Sequence, residues 1–354
     1  RRVLFRSLAL INYTSGTTGH SKGVMIPYRA IWSNADFGKH VLGDKLKSGD
    51  NIISILPMAH MYGMAFEFVF EFISGVHVFF LTRMPSPAII SQALKDVKPS
   101  LMIAVPLVIE KIIRKRVFPK IQSHKMQFLL KLPVLSKKIK EKIREEVYNA
   151  FGGNLYQIII GGAALSKEVE DFLHNINFPY TVGYGATECA PIICYRDWQT
   201  FVKGSCGQAA YHQEVRIDSS DPENIEGEIL TKGPNVLLGY YKNEEATAQA
   251  IDKNGWFHTG DLGTMDADGN VFIRGRSKNM LLGSNGQNIY PEEIEDALNS
   301  LNLVAECLVV QRDEKLVGLV YPDYEEAKTL GLNEEDINKL MEENRTQLNT
   351  IMPT

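Results

Sequence analysis

YTSGTTGHSKGV, Tyr13 to Val24, packs hydroxyls, glycines and one lysine into a single short stretch. Gly16, Gly19 and Gly23 let the backbone adopt positive φ and turn its N–H groups inward, forming a nest with partial positive charge. Thr14, Ser15, Thr17 and Thr18 add hydroxyl donors, and Lys22 brings a mobile point charge suited to pyrophosphate oxygens. The stretch is not a GxxxxGK[ST] loop, because Ser21 precedes Lys22 and Gly23 follows it. The same composition also makes a plain surface turn. Apolar ALIN before it and VMIPYRAI after it favour a phosphate-holding loop in a strand–loop–helix setting.

Three further motifs follow in order: YGATE at Tyr184 to Glu188, HTGDLG at His258 to Gly263, and GRSKNMLLGSNGQNIYPEEIE at Gly275 to Glu295. Taken with the opening stretch, these motifs make the chain resemble the adenylate-forming superfamily, which contains acyl-CoA synthetases, peptide-synthetase adenylation domains and firefly luciferase. Four motifs in the right order are far more specific than any one of them. GGAAL at Gly161, GYGATECAP at Gly183 and NGQNIYPEEIE at Asn285 look most like bacterial long-chain fatty acyl-CoA synthetases.

The resemblance implies roles position by position. Thr187 and Glu188 match positions that contact phosphates and hold Mg²⁺, and a carboxylate is the hard oxygen ligand that ion takes. Asp261 matches the carboxylate that accepts both ribose hydroxyls, which needs two acceptor oxygens; read alone, it is also an ordinary turn residue. Arg276 matches an arginine near ribose and phosphate, where a fixed fork of donors suits oxyanions. Tyr184, Gly185 and the Gly161, Gly162, Ala163 turn correspond to the adenine side, although a buried aromatic also serves simply as core. His60, in PMAHMYG, matches a position flanking the acyl site, or is a satisfied core histidine. Lys278 matches the pivot of the hinge, and the Gly283 to Gly286 loop lines a channel for CoA. Where the family commonly has Pro before the loop lysine this chain has Ser21, a change in loop stiffness rather than in donors.

Composition sets limits. The 354 residues exceed one ordinary domain, and 44% hydrophobic with 23% charged residues describes a globular chain. A net charge of −4 points to no general role with nucleic acid. Four cysteines, at 189, 194, 206 and 307, have neither CxxC spacing nor disulfide-scaffold density, so single buried thiols in a reducing cytoplasm are expected. The longest apolar stretch, Met64 to Leu81, is interrupted by Glu67, Glu71, Ser74 and Gly75, and reads as helix then strand rather than a membrane span.

Both ends carry expectations. RRVLFRS, residues 1–7, is what the sequencing-adapter stretch AGACGTGTGCTCTTCCGATCT encodes in its first frame, so we set it apart from the fold; the alternative is a basic tail. The family also carries a lysine near its C-terminus that enters the active site during adenylation. Lys315, Lys328 and Lys339 lie in no matching Gly-Lys context, and that lysine is expected to be absent here. Lys315 reads as a solvated turn residue between VAECLVVQ and LVGLVYP.

The expected architecture is α/β. Residues 8–274 read as part of a large AMP-binding domain of layered, mostly parallel sheets, with NIISILPMAH, VHVFFLT, LMIAVP and YQIIIGGA as buried strands and ISQALKDVK and KEVEDFLHN as helices. Hairpin text such as TMDADGNVFIRG, with Asp268–Gly269 as its turn, marks a β-rich subdomain at about 205–274. Residues 275–279 form the hinge, and 280–354 a small, truncated α+β domain whose first helix opens on Pro291, Glu292 and Glu293.

From Lys111 to Arg144 there are twelve Lys or Arg against one acidic residue, Glu141, a local net of +11, around FLLKLPVL at Phe128 to Leu135. Such a run is first a solvated face. The sharper alternative is a peripheral contact with the inner face of a membrane, basic residues meeting anionic headgroups.

The reaction implied has two halves, using ATP, Mg²⁺ and CoA. A fatty-acid carboxylate attacks the α-phosphate of ATP, with Lys22, Thr17 and Thr18 cradling the leaving pyrophosphate; rotation about Lys278 then opens the way for the CoA thiol. Gly183, Gly185 and residues 161–164 suggest an open acyl tunnel. An adenylating enzyme for another acid or a carrier-protein acceptor stays open, as does a nucleotide- or lipid-binding protein without turnover.

Overall fold

The computed structural model describes residues 5–14, 21–81, 87–121, 133–282, 288–299, 301–312 and 315–351. Two antiparallel strands, β1 (Leu8–Thr14) and β2 (Lys22–Pro27), flank the opening motif, with Thr14 opposite Lys22. This corrects the expected strand–loop–helix. VMIP completes β2, and the helix Tyr28–Leu42 starts only after Pro27, which lacks the N–H a continuing strand would use. Lys22 therefore stands at a strand end, not at a helix N-terminus.

Five short apolar runs form a parallel sheet in the order β4-β3-β5-β6-β7, with β3 (Asn51–Ser54), β4 (His77–Phe80), β5 (Leu101–Ala104), β6 (Gln157–Ile160) and β7 (Tyr180–Val182). Side chains alternate across its faces. Ile53, Met102, Ala104, Ile158 and Ile160 join a core under the helices Pro87–Val97, Pro106–Ile112, Pro133–Ala150 and Lys167–Asn175. Ile52, Leu101, Ile103 and Ile159 face the other way, against Phe37, Leu42, Phe66 and Phe70. Burial on both faces explains why these runs read as continuous rather than alternating hydrophobics. β4 is the exception. It is an edge strand with Phe79 and Phe80 exposed, so VHVFFLT is a strand but not the buried one expected.

A further set of strands is antiparallel: β8 (Tyr184–Gly185), β9 (Ile192–Tyr195) and β10 (Gln208–Ala209), then β11 (Glu214–Asp218), β12 (Gly227–Lys232), β13 (Gly239–Tyr240), β14 (Phe257–Met265) and β15 (Val271–Arg276). β13 adds to β2, while β11-β12-β14-β15 form a meander-like sheet. Val24, Ile26, Ile229, Leu237, Phe257 and Val271 give these elements a common core. After two short strands, β16 (Leu281–Leu282) and β17 (Asn288–Ile289), the helix Pro291–Asn299 packs on the hairpin of β18 (Val304–Arg312) and β19 (Lys315–Pro322). Lys315 is not a turn residue: it opens β19, paired with Arg312.

Met64–Leu81 becomes a helical segment running to Ser74, its first part Met64–Val69 wound as a π-helix, followed by β4. Among the described residues no helix is long and apolar enough to cross a membrane. Cys189, Cys194 and Cys206 are buried free thiols and Cys307 is half-buried. Within the basic stretch 111–144, residues 122–132 lie outside the described residues.

Candidate active site

A cleft of about 750 Å³ opens where β1, β2 and β13 approach β8, β14 and β15. Of the residues singled out from sequence, Thr14, Lys22, His60, Gly161, Gly162, Tyr184, Gly185, Thr187, Glu188, Asp261, Arg276 and Lys278 line it. Ala163 is exposed beside it and is not part of its wall. Ser15, Gly16, Thr17, Thr18, Gly19, Gly283 and Gly286 lie outside the described residues.

The register of one hairpin places Asp261. From the Asp268–Gly269 turn, Met265 pairs with Val271 and Gly263 with Ile273; a bulge then adds one residue on β15, so that Leu262 faces Gly275 and Asp261 faces Arg276. Arg276 Nε sits 3.2 Å from Asp261 Oδ1. The Tyr184 hydroxyl donates to Oδ2 at 2.5 Å, and the Thr259 hydroxyl accepts from the Asp261 amide at 3.1 Å. Burial pushes the Asp261 carboxyl above its ordinary range, while Tyr184 and Arg276 pull it back. Burial, then the Asp261 charge, raises the Tyr184 phenol. Next to them Glu228 takes the Gly260 amide at 2.9 Å and the His258 ring at 2.8 Å, fixing the turn before Asp261.

Glu188 stands on a 3₁₀ turn, Thr187–Cys189, closed by Ala190 and a cis Ala190–Pro191 bond. Buried Asn34 clamps this turn: its amide donates to Cys189 O at 3.0 Å and its carbonyl accepts from Ile192 N at 2.9 Å. Buried Asn235 donates to Ile192 O at 2.8 Å. Gly185 is obligatory, since a Cβ there would meet Pro191 O at 2.3 Å.

Tyr240 links the two halves of the polar end. Because β13 pairs with β2, its ring lies 4.9 Å from Lys22 Nζ, and its hydroxyl donates to Glu188 Oε1 at 2.8 Å. Burial, then the charge of Glu188, raises its phenol. Sequence reasoning missed Tyr240, Asn34, Asn235 and the Glu228–His258 pair. Asn34 alone left a trace, a polar side chain one helical turn from Ala30 on a core-facing stripe.

His60 caps the helical segment that follows, its Nδ1 accepting from Tyr62 N at 3.3 Å. Asn12 donates to Ala59 O at 2.8 Å and ties this loop to β1. Beyond His60 the cleft turns apolar, walled by Phe37, Leu42, Phe66, Phe70, Ile103 and Ile192. Ser277, by contrast, binds Gly260 O through both its amide (2.9 Å) and hydroxyl (3.0 Å), which fixes the chain where it leaves β15; Lys278 is exposed at the mouth.

The AMP-binding enzyme family matches residues 5–241. The chain belongs to that family. Among curated members it is 29% identical to long-chain-fatty-acid–CoA ligase 1 of Saccharomyces cerevisiae, over 95% of this chain and 52% of that protein. It is 33% identical to ligase 4 of the same yeast, over 89% and 48%. A 2-succinylbenzoate–CoA ligase of Bacillus cytotoxicus is 30% identical over 88% and 58%. This AMP-binding chain thus spans about half the length of the first relatives it matches. The o-succinylbenzoate CoA synthetase of Bacillus subtilis, solved with AMP, superposes with a TM-score of 0.70 at 22% identity, over 96% of this chain and 63% of that one. That likeness shows the α/β fold of the family, parallel sheet plus antiparallel β-rich parts.

Proposed function

We propose that this AMP-binding chain belongs to an enzyme that activates a long-chain fatty acid with ATP and transfers the acyl group to CoA. One observation carries the reading: a single cleft joins a polar end, with Lys22, Thr187, Glu188, Asp261 and Arg276, to an apolar end walled by Phe37, Phe66 and Phe70. The polar end suits a nucleotide, and the apolar end the body of a carboxylic acid.

Asp261, with lone pairs left on both oxygens, would accept the ribose hydroxyls, and Arg276 would hold phosphate oxygens beside it. Lys22 and the Thr14 edge of the loop would bind the leaving pyrophosphate. The donor set fits Mg²⁺: Glu188 offers a hard carboxylate beside the Thr187 hydroxyl, and among the described residues no group of three or more His, Cys, Asp or Glu forms a cage. That is the arrangement of an ion that shares its ligands with phosphates and water. When bound there it would neutralise charge on the phosphates. The chain's own residues bring the carboxylate to the α-phosphate and exclude water along the apolar wall.

In support, relatives bear the names of long-chain-fatty-acid–CoA ligases. A second reading, an aromatic acid, draws on the relatives named 2-succinylbenzoate–CoA ligase. The deciding experiment measures pyrophosphate release by the native full-length protein with ATP and Mg²⁺ across short, medium, long-chain and aromatic acids, with and without CoA. Release favouring long chains, with acyl-CoA formed when CoA is present, is expected. Release only with aromatic acids establishes the second reading; ATP binding without release for any acid leaves a non-catalytic binder.

A further inference from the structure

A second cleft, of about 400 Å³, lies behind the apolar end of the first and opens on solvent between His40, Lys45, Arg196 and Tyr211. Both clefts are lined by the same two aromatic residues, Phe37 and Tyr195. The helix Tyr28–Leu42 explains the sharing. Gly38 and Leu42, four apart, face the first cleft, whereas His40 and Val41 face the second, and Phe37, four before Val41, stands on the boundary between these stripes. Across from it Tyr195 ends β9, and the two rings meet edge to face with centroids 5.3 Å apart at 82°. Each ring is buried, so together they form a wall about one side chain thick.

The two halves of the wall are not equally fixed. The Tyr195 hydroxyl accepts from fully buried Gln157 at 2.6 Å. The Phe37 ring is held by packing, edge to face with Tyr195 and with Phe66 at 6.0 Å, within a core it shares with Leu42, Phe70 and Ile192. The floor beneath is dense, because a Cβ on Gly38 would meet the Phe70 ring at 2.6 Å. An extending chain therefore meets, at Phe37, a boundary held by packing without a hydrogen bond of the kind that fixes Tyr195.

Resting on the fatty-acid reading above, we infer that Phe37 and Tyr195 set the length of acid accepted, and that the second cleft receives the distal methylenes of acids longer than the first cleft holds. Val41, Ala209, Ala210 and the Tyr211 ring give that cleft apolar surface for an aliphatic tail. The outer rim is already paired: Lys45 Nζ donates to Tyr156 OH at 2.9 Å and lies 3.6 Å from Asp197, and His40 stacks on Tyr211 at 4.0 Å. The entering group is accordingly a neutral hydrocarbon end rather than a second carboxylate.

The test compares chain-length profiles of pyrophosphate release for the native full-length protein and three variants, Phe37→Leu, Phe37→Trp and Tyr195→Phe, each checked by thermal melting. Phe37→Leu should move the preferred acid two or more carbons longer and raise the ratio of kcat/KM for acids beyond the wild-type limit to kcat/KM for shorter acids about tenfold. Phe37→Trp should move the limit the other way. Tyr195→Phe, which frees the second ring from Gln157, should relax the limit in the direction of Phe37→Leu. Profiles that fall in parallel at every length, or do not move, overturn the inference while the fatty-acid reading stands. A wild type that activates no aliphatic acid overturns both.

Discussion

Tyr184 donates its hydroxyl to Asp261 at 2.5 Å, from a strand 77 residues away in sequence, and so holds the carboxylate that faces the polar end of the cleft. Arg276 holds the other oxygen at 3.2 Å. Tyr184→Phe keeps the ring and removes this donor. A hydrogen bond to a charged group contributes about 1.5–3 kcal/mol, so AMP affinity should fall about tenfold or more, read by calorimetry. The carboxyl, already raised by burial, loses a group that lowers it. Its ionised form then appears at higher pH, and the acid limb of the binding profile should move up. Unchanged affinity and an unmoved limb would show that Asp261 does not depend on Tyr184.

Tyr240 makes the parallel argument for Glu188. Its hydroxyl reaches Glu188 Oε1 at 2.8 Å, and its ring faces Lys22. In Tyr240→Phe the carboxylate loses its orienting donor while the ring remains for Lys22. Partners of this kind are worth about 10–100-fold in metal affinity. Titration of pyrophosphate release against Mg²⁺ should show a half-saturating concentration raised by that order, with metal-free AMP binding little altered. Equal losses in both would point to a purely structural tyrosine.

How far the sequence carried these assignments differs by residue. Lys22, Glu188 and Asp261, which the fold brings to one cleft, stood out in the sequence because each sits in a short motif that carries the family resemblance. β5 and β6 were legible because successive apolar residues buried on both faces, four in β5 and three in β6, leave a continuous run. The same run at β4 misled, since an edge position is a property of the sheet order and leaves no mark in VHVFFLT. Tyr240 and Asn34 were opaque for the same reason: one matters through a strand pairing with β2, the other through a turn 155 residues away.

Asn34→Ala should therefore affect both stability and activity. It strips the Thr187–Pro191 turn of two hydrogen bonds and leaves Cys189 O and Ile192 N without those partners, a cost of about 1–3 kcal/mol for each group left unsatisfied. Melting temperature should drop by several degrees, and pyrophosphate release should fall further than Asn235→Ala makes it fall. Among the described residues the Asn235 side chain donates to Ile192 O alone, so equal effects from the two variants would mean that Asn34 does not clamp the turn.

Glu67 and Glu71, both buried, predict an unusual pH dependence. Glu67 accepts from Ser54 Oγ, Ile55 N and Leu56 N, and burial pushes it up to about 7. Neither Glu71 oxygen has a hydrogen-bond partner among the described residues; burial, then the Glu67 charge, pushes it up to about 9. Both folded values exceed the unfolded value of 4.5, so the native state binds more protons and stability falls as pH rises. The contribution is fully present below about pH 4.5 and is lost as pH passes through 7 and then 9. Glu71→Gln mimics the protonated acid. Chemical denaturation should find it more stable than wild type at pH 9, by on the order of 1–3 kcal/mol, and close to wild type at pH 5. A difference independent of pH would mean that Glu71 does not titrate in this range.

Gly38 tests the apolar end from the opposite side of the wall. The helix Tyr28–Leu42 lies so close to Phe70 that a Cβ on Gly38 would stand 2.6 Å from the ring, where no rotamer of alanine relieves the contact. Gly38→Ala therefore either lifts the helix or turns Phe70 into the cleft. Overpacking of this kind costs about 1–3 kcal/mol, partly offset by the better helix propensity of alanine. If Phe70 turns inward, the variant keeps its affinity for AMP and loses activity toward long acids while short ones are retained. If the helix lifts, Asn34 moves with it, and activity falls for acids of every length together. The two outcomes separate a floor for the acyl chain from a support for the Thr187–Pro191 turn, and the close approach of Gly38 to Phe70 favours the first.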